Sequence, residues 1–315
     1  MLNYITRKAF LTIKLTLLLI FHSIVFAKTK VLFMLPSVPG DPFWDVVVRG
    51  ANDAATVHDV DLEIIHYLPD NIEDELHILD IALSKPSNAT IVVLNYQSPK
   101  LLKALQKYAA SDHILQIINS GESALAKINI TGNYIGSNDY QAGFIMGQGL
   151  AKAHVSNIMF ITHLSPNNSV VAQRVAGIQA ALSNAKITVL DVSNKEDPVS
   201  AIRESVAKSD SDTIAVLGPK SFNDYVKAVN LKKGATPVKN FVSFDLTKPI
   251  ADSIRSGHTL FTIDQQPYLQ GYYAVANSDL YKKYKVHPVG SIMTGPQRIY
   301  ASQIDDIYDY IGITR

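Results

Sequence analysis

The chain has 315 residues, with 29 Lys or Arg against 28 Asp or Glu, 47% hydrophobic residues and no cysteine. That length accommodates about two domains of ordinary size, each burying its own core. A formal charge of +1 spread along the chain leaves no electrostatic footprint for nucleic acid or an anionic membrane surface. The lack of Cys excludes disulfide scaffolds, thiol catalysis, Cys-ligated zinc and lipid attachment at an N-terminal Cys.

Residues 1–27 contain Arg7, Lys8 and Lys14 and no acidic residue. Leu15 to Phe21 is an apolar run of signal-peptide length, and Val25-Phe26-Ala27 places small residues where a signal peptidase cuts. The run falls short of the roughly 20 residues that span a bilayer, and His22 interrupts it. The expectation is a cleaved secretory signal peptide over 1–27 and a mature chain with 26 basic and 28 acidic residues, about −2 in formal charge. Having no Cys to lipidate, such a chain would diffuse freely in a periplasm.

From Lys30 onward, short β-branched runs alternate with helical stretches, the pattern of parallel sheets covered by helices. Strands are predicted at 30–35, 62–66, 90–95 and 114–118, with helices at 43–57, 72–83 and 99–110 between them. A second series follows, with helices at 140–154, 170–184, 198–208, 222–230 and 249–256 and strands at 157–162, 187–192, 213–217, 241–244 and 260–263. A long helix at 268–284, a strand near 289–293 and a short tail complete the chain. The reading is α/β with two lobes and no flexible linker. Helix-preceding loops then gather at the carboxyl edge of each sheet, where ligands bind.

The familiar enzyme motifs are missing: no G-x-x-x-x-G-K-[ST] phosphate loop, no G-x-S-x-G elbow and no H-E-x-x-H zinc pair. No cofactor or metal is expected. Gly143, Gly147 and Gly149 sit inside a predicted helix rather than after a strand, which favours close helix packing over a dinucleotide loop. Asp41-Pro42-Phe43-Trp44 lies between the first strand and its helix, and Trp44 is the sole Trp. Phe43 and Trp44 suit either stacking on a sugar ring, with Asp41 accepting its hydroxyls, or stapling the first helix to the core. Asn95 ends the third strand, Asn119-Ser120 follows the fourth, and Asp245 ends the strand at 241–244. Each suits a helix cap or turn equally well, and their recurrence at one predicted edge is what marks them as candidates.

Phe244-Asp245-Leu246, Ile254-Arg255-Ser256-Gly257 and Thr262-Ile263-Asp264-Gln265-Gln266-Pro267, together with Asp41-Pro42-Phe43-Trp44, Ile135-Gly136-Ser137-Asn138-Asp139 and Gln173-Arg174-Val175-Ala176-Gly177, resemble the type I periplasmic sugar-binding proteins, the ribose- and galactose-binding-like group. The resemblance implies two Rossmann-like lobes joined by three hinge crossings near 129–134, 265–268 and 294–297. The first lobe would comprise 28–132 plus 267–293, the second 133–266 plus 294–315. It further implies that Phe43 and Trp44 stack on the sugar and that Asp41, Arg174, Asp245 and Gln265 hydrogen-bond it; Asn95, Asn119 and Ser120 are candidates by their place at the same edge, and Lys220 either faces the cleft or is a solvated lysine at a helix start. The chain departs from the ribose and galactose binders at Asn119-Ser120, where they have Asp-Arg, and at Lys220-Ser221, where they have Asn-Asp. Arg174 and Lys220 against Asp41 and Asp245 suggest a balanced cleft and a neutral sugar or polyol, or an acidic sugar where Lys220 faces inward. The implied role is capture of such a ligand by hinge closure for an inner-membrane ABC permease, or presentation of the closed state to a histidine kinase or chemoreceptor, rather than catalysis.

Overall fold

Alternate residues of the first strand feed two different hydrophobic layers. Val31, Phe33 and Leu35 join one buried cluster while Leu32 and Met34 join another. A strand buried on both faces needs helices on both sides of its sheet, which its continuous apolar run anticipates. The computed structural model describes residues 27–68, 72–94, 99–109, 113–125, 127, 132–231 and 238–315. The signal-peptide reading thus lies almost wholly outside the described residues, as does Asn95. Among the described residues no helix is long and apolar enough to cross a membrane.

The first series runs β1 (Lys30–Leu35), α1 (Trp44–His58), β2 (Asp61–His66), α2 (Ile72–Ser84), β3 (Ala89–Val92), α3 (Pro99–Ala109), β4 (Ile114–Ile118), α4 (Glu122–Leu125) and β5 (Gly132–Ser137). The second runs α5 (Asp139–Leu150), β6 (Asn157–Thr162), α6 (Ser169–Ala181), β7 (Lys186–Asp191), α7 (Pro198–Lys208), β8 (Thr213–Val216), α8 (Gly218–Val229), β9 (Asn240–Phe244), α9 (Lys248–Arg255) and β10 (Thr262–Asp264). The chain ends with α10 (Pro267–Tyr284), β11 (Ile292–Gly295), β12 (Gln297–Ile299) and α11 (Ala301–Ile307).

Two six-stranded sheets result, ordered β11-β5-β4-β3-β1-β2 and β12-β10-β9-β8-β6-β7. All the pairings are parallel except that of β12 with β10. Helix α10 returns to pack on α1 in the first lobe, and α11 packs on α9 in the second. The return is fixed at a buried carboxylate: Asp279 of α10 accepts from Thr29 Oγ1, just before β1, at 2.7 Å and from Lys283 Nζ at 2.9 Å.

One expected boundary moves. A first crossing near 129–134 would put β5 in the second lobe, yet β5 pairs with β4 and β11 in the first sheet, so the chain crosses only after Ser137. The sequence Gly-Asn-Tyr-Ile-Gly-Ser lacks the apolar run of a buried strand. What secures it is long-range: the Asn133 side-chain amide donates to the carbonyls of Pro288 and Gly290 at 2.6 and 2.7 Å. The tail also holds more than was anticipated, because β12 closes the second sheet by pairing Thr262, Ile263 and Asp264 with Ile299, Arg298 and Gln297.

The other two passages lie side by side, at Gln265–Gln266 and between Gly295 and Gln297. Thr294 Oγ1 donates to the Gln265 carbonyl at 2.7 Å, and Gln266 Nε2 donates to the Thr294 carbonyl at 2.8 Å. The two segments are thereby laced into one narrow joint.

Glycine sets the closest helix contact of the second lobe. A Cβ on Gly143 of α5 would lie 1.9 Å from the Arg174 carbonyl oxygen on α6, and one on Gly177 would lie 2.1 Å from that of Tyr140. Neither backbone can yield without separating the helices. Gly143→Ala should therefore cost at least about 1–3 kcal/mol by overpacking, lowering the calorimetric unfolding midpoint by about 2–4 °C per kcal/mol. An unchanged midpoint would contradict the contact.

Candidate functional site

In both sheets the strand order reverses direction around one strand, β1 in the first and β6 in the second. At such a switch point the loops after neighbouring strands diverge and leave a crevice at the carboxyl edge. The loop after β1 carries Asp41, Phe43 and Trp44. Asp41 Oδ1 accepts from the backbone N–H groups of Phe43 and Trp44 at 3.0 and 3.1 Å, capping α1 from two residues before its first turn. Its other oxygen makes no hydrogen bond among the described residues. Phe43 and Trp44 meet edge to face at 5.1 Å, and both are half-buried against the first-lobe core. Stapling is thus part of their role, and each ring keeps some exposed surface.

The second lobe builds its polar cluster around Arg174, on the second turn of α6 and only 3% exposed. Its Nε donates to Asp139 Oδ1 at 3.0 Å, and its guanidinium lies 4.3 Å from the centre of the Phe244 ring. That geometry joins an ion pair to a cation–π contact. The terminal nitrogens of Arg174 make no hydrogen bond among the described residues. Asp139 opens α5 immediately after the first crossing, where the Asn138 side chain caps the helix by accepting from the Gln141 N–H at 2.9 Å.

Asp245 follows β9 with a left-handed backbone (φ 64°). Gln265 Nε2 donates to its Oδ1 at 2.6 Å. Its Oδ2 lies against Gly218, the first residue of α8, where a Cβ would come within 2.8 Å of it. The start of a helix favours a carboxylate, and Gly218, itself at φ +76°, leaves room for one. Gln265 is 3% exposed, and its Oε1 has no hydrogen-bond partner.

The lobes meet at this edge. Ser120 Oγ, fully buried, donates to the Leu94 carbonyl at 2.8 Å and lies 3.4 Å from Ser169 Oγ across the divide. Asn138 Nδ2 donates to Glu122 Oε2 at 2.8 Å. Asn119 occupies a left-handed turn (φ 62°), its carbonyl accepting from Tyr134 Oη at 2.8 Å. Lys220 is exposed, and its charge helps, after burial, to hold His163 below the ordinary imidazole value, while Asp224 bonds that ring at 3.1 Å. The structure therefore gathers Arg174, Asp245 and Gln265, brings Asp41 within electrostatic reach of Asp245, sets Ser120 against main chain, and leaves Lys220 exposed near His163.

Two members of the cluster escaped the sequence reading, Asp139 and Glu122. Both are acids in the first turn of a helix that follows a strand, a placement that caps account for by themselves. Burial pushes the Asp139 carboxyl up to about 6, with Asp245 and Glu122 adding to the rise and Arg174 opposing it. Burial likewise raises Asp245, against the pull of Arg174 and the Gln265 hydrogen bond. Among the described residues no group of three or more His, Asp or Glu could hold a metal ion.

The periplasmic binding protein domain family matches residues 31–284. No curated protein sequence matches the chain. Among solved structures, a carbohydrate transporter from Acidothermus cellulolyticus 11B in complex with myo-inositol superposes with a TM-score of 0.80 at 22% identity, covering 90% of this chain and 98% of that one. An ABC transporter periplasmic solute-binding protein from Actinobacillus succinogenes 130z with bound D-allose gives 0.75 at 19% identity, covering 89% and 100%. The XylFII–LytSN complex gives 0.74 at 19% identity, covering 88% and 99%. These likenesses establish the two-lobe α/β fold.

The raised Asp139 carboxyl has a measurable sign. It binds its proton more tightly folded than unfolded, so its contribution to stability is full below the ordinary value of 3.8 and is lost as pH rises to about 6. Two pH units correspond to about 3 kcal/mol. Urea unfolding of the wild type and of Asp139→Asn should diverge across that window, the wild type losing stability with rising pH relative to the variant. Parallel profiles would show that Asp139 titrates as an ordinary surface acid.

Proposed function

The chain belongs to the periplasmic binding protein domain family, and from that premise we propose that it is a periplasmic solute-binding protein that captures a sugar or polyol between its lobes and delivers it to an ABC importer. The observation that carries this reading is the buried group of Arg174, Asp245 and Gln265 at the carboxyl edge of the second sheet, with Asp41, in the loop that carries Phe43 and Trp44, within electrostatic reach of Asp245. Fixed polar groups together with a half-buried aromatic pair are what a hydroxyl-covered ring with apolar faces requires. The myo-inositol and D-allose complexes of proteins with this fold support the same ligand class.

Contacts from both lobes exist together only when the lobes are closed, so the ligand favours the closed state by its differential affinity. A charge-assisted hydrogen bond from Arg174 or to Asp245 contributes about 1.5–3 kcal/mol, and a ring on Trp44 about 1 kcal/mol. The joint at Gln265–Gln266 and Thr294 is the proposed hinge. A second reading, in which the closed state is presented to a sensor partner, draws on the XylFII–LytSN complex. The export implied by residues 1–27 suits both readings.

Titration of the mature protein with pentoses, hexoses and inositols should change the emission of Trp44, the sole Trp, with a matching calorimetric heat. Arg174→Ala should weaken binding at least about tenfold. Failure of every sugar and polyol to bind would remove the ligand class, and an unaltered affinity in Arg174→Ala would remove that residue from the site.

A further inference from the structure

Resting on the sugar-binding reading, we propose that the preferred ligand carries a positive charge: an amino sugar or aminocyclitol whose ammonium group sits against Asp245 and Gln265. Counting charges along the sequence suggests a balanced cleft, with Arg174 and Lys220 set against Asp41 and Asp245. The structure redistributes them. Lys220 is exposed, and its charge is felt by His163, which Asp224 bonds in turn. Asp139, absent from that count, takes the Nε of Arg174 at 3.0 Å. Glu122 adds another carboxylate, bonded only to the neutral amide of Asn138 among the described residues. Asp264, next along from Asp245, is matched separately by Arg315. Arg174 thus acts on both Asp139 and Asp245, while Glu122 and Asp41 each add a further carboxylate that these two acids feel.

Hydrogen-bonding capacity is skewed the same way. In the contact with Asp245 the Gln265 amide donates through Nε2, which turns its Oε1 elsewhere. That Oε1 is buried and has no donor. The acceptors left without a donor are thus Gln265 Oε1, buried beside Asp245, and the second oxygen of Asp41, with the terminal nitrogens of Arg174 as donors without a hydrogen bond among the described residues. An ammonium brings three donors and no acceptor, which fits this surplus, while a ligand carboxylate or phosphate would enlarge it. Helix starts and Arg174 offset the negative charge only in part, since burial and neighbouring carboxylates still hold Asp139 and Asp245 above the ordinary range.

The test is calorimetry at pH 7.5 on the mature protein with matched sets: glucose, glucosamine, N-acetylglucosamine and glucuronate; the corresponding galactose set; and myo-inositol with scyllo-inosamine. In the set that binds, the amino member should be at least tenfold tighter than its neutral parent and its N-acetyl form, and the acid should be weakest. Asp245→Asn, with its fold verified by circular dichroism, should lose most of that tenfold preference. Neutral or acidic members binding as tightly as the amino member overturn the charge inference and leave the sugar-binding reading standing. An absence of binding across all sets overturns both. Should Asp245→Asn fail to fold, the ranking of ligands on the wild-type protein decides the matter.

Discussion

A guanidinium buried among carboxylates organises the polar edge of the second lobe. Arg174 is held on one side by Asp139 and on another by the face of Phe244, and its field reaches Asp245. Removing one partner from such a group strands an uncompensated charge in a poorly solvated place, which typically costs 3–5 kcal/mol. The parallel α/β architecture provides the rest of the support. Most carboxyl strand edges hand the chain to the start of a helix, and Asp41, Glu122, Asp139 and Asp245 all lie at such starts. A fold that aims helix N-termini at its crevice can bury acids there.

The backbone crowding around this group follows from the same demand. Arg174 belongs to a helix that touches α5 through bare glycine, and that contact places its guanidinium beside Asp139 at the head of α5. Gly218 likewise leaves its missing side chain as space for the Asp245 carboxylate. Packing and electrostatics are here a single requirement, because widening either contact by a methyl group moves a charged group from its partner.

Much of this was legible in the sequence because its signals are local. The apolar runs at Val31–Leu35, Ile114–Ile118 and Asn240–Phe244 mark strands buried on both faces, and the family motifs around Asp245, Gln265 and Arg174 gather as one group. Other features depend on partners distant in the chain. Strand β5 owes its place to Asn133 bonding Pro288 and Gly290, and β12 exists only as a partner for β10. Lys220, two residues after the start of α8, is exposed, with its charge felt by His163 after β6. Asp139 resembles an ordinary first-turn acid until the α5–α6 contact puts Arg174 beside it.

The lacing of the chain across two sheets has a consequence for the order in which the protein comes into being. Thr29 and Asp279 must find one another across 250 positions, and β5 gains its outer neighbour only when β11 arrives. Contacts of such long range carry a large loop-closure cost and form slowly. During synthesis the first lobe therefore has an uncovered sheet edge and an exposed α1 surface until most of the polypeptide has left the ribosome. Completion of the first lobe is a late event, since its last strand and its covering helix come from the final sixth of the chain.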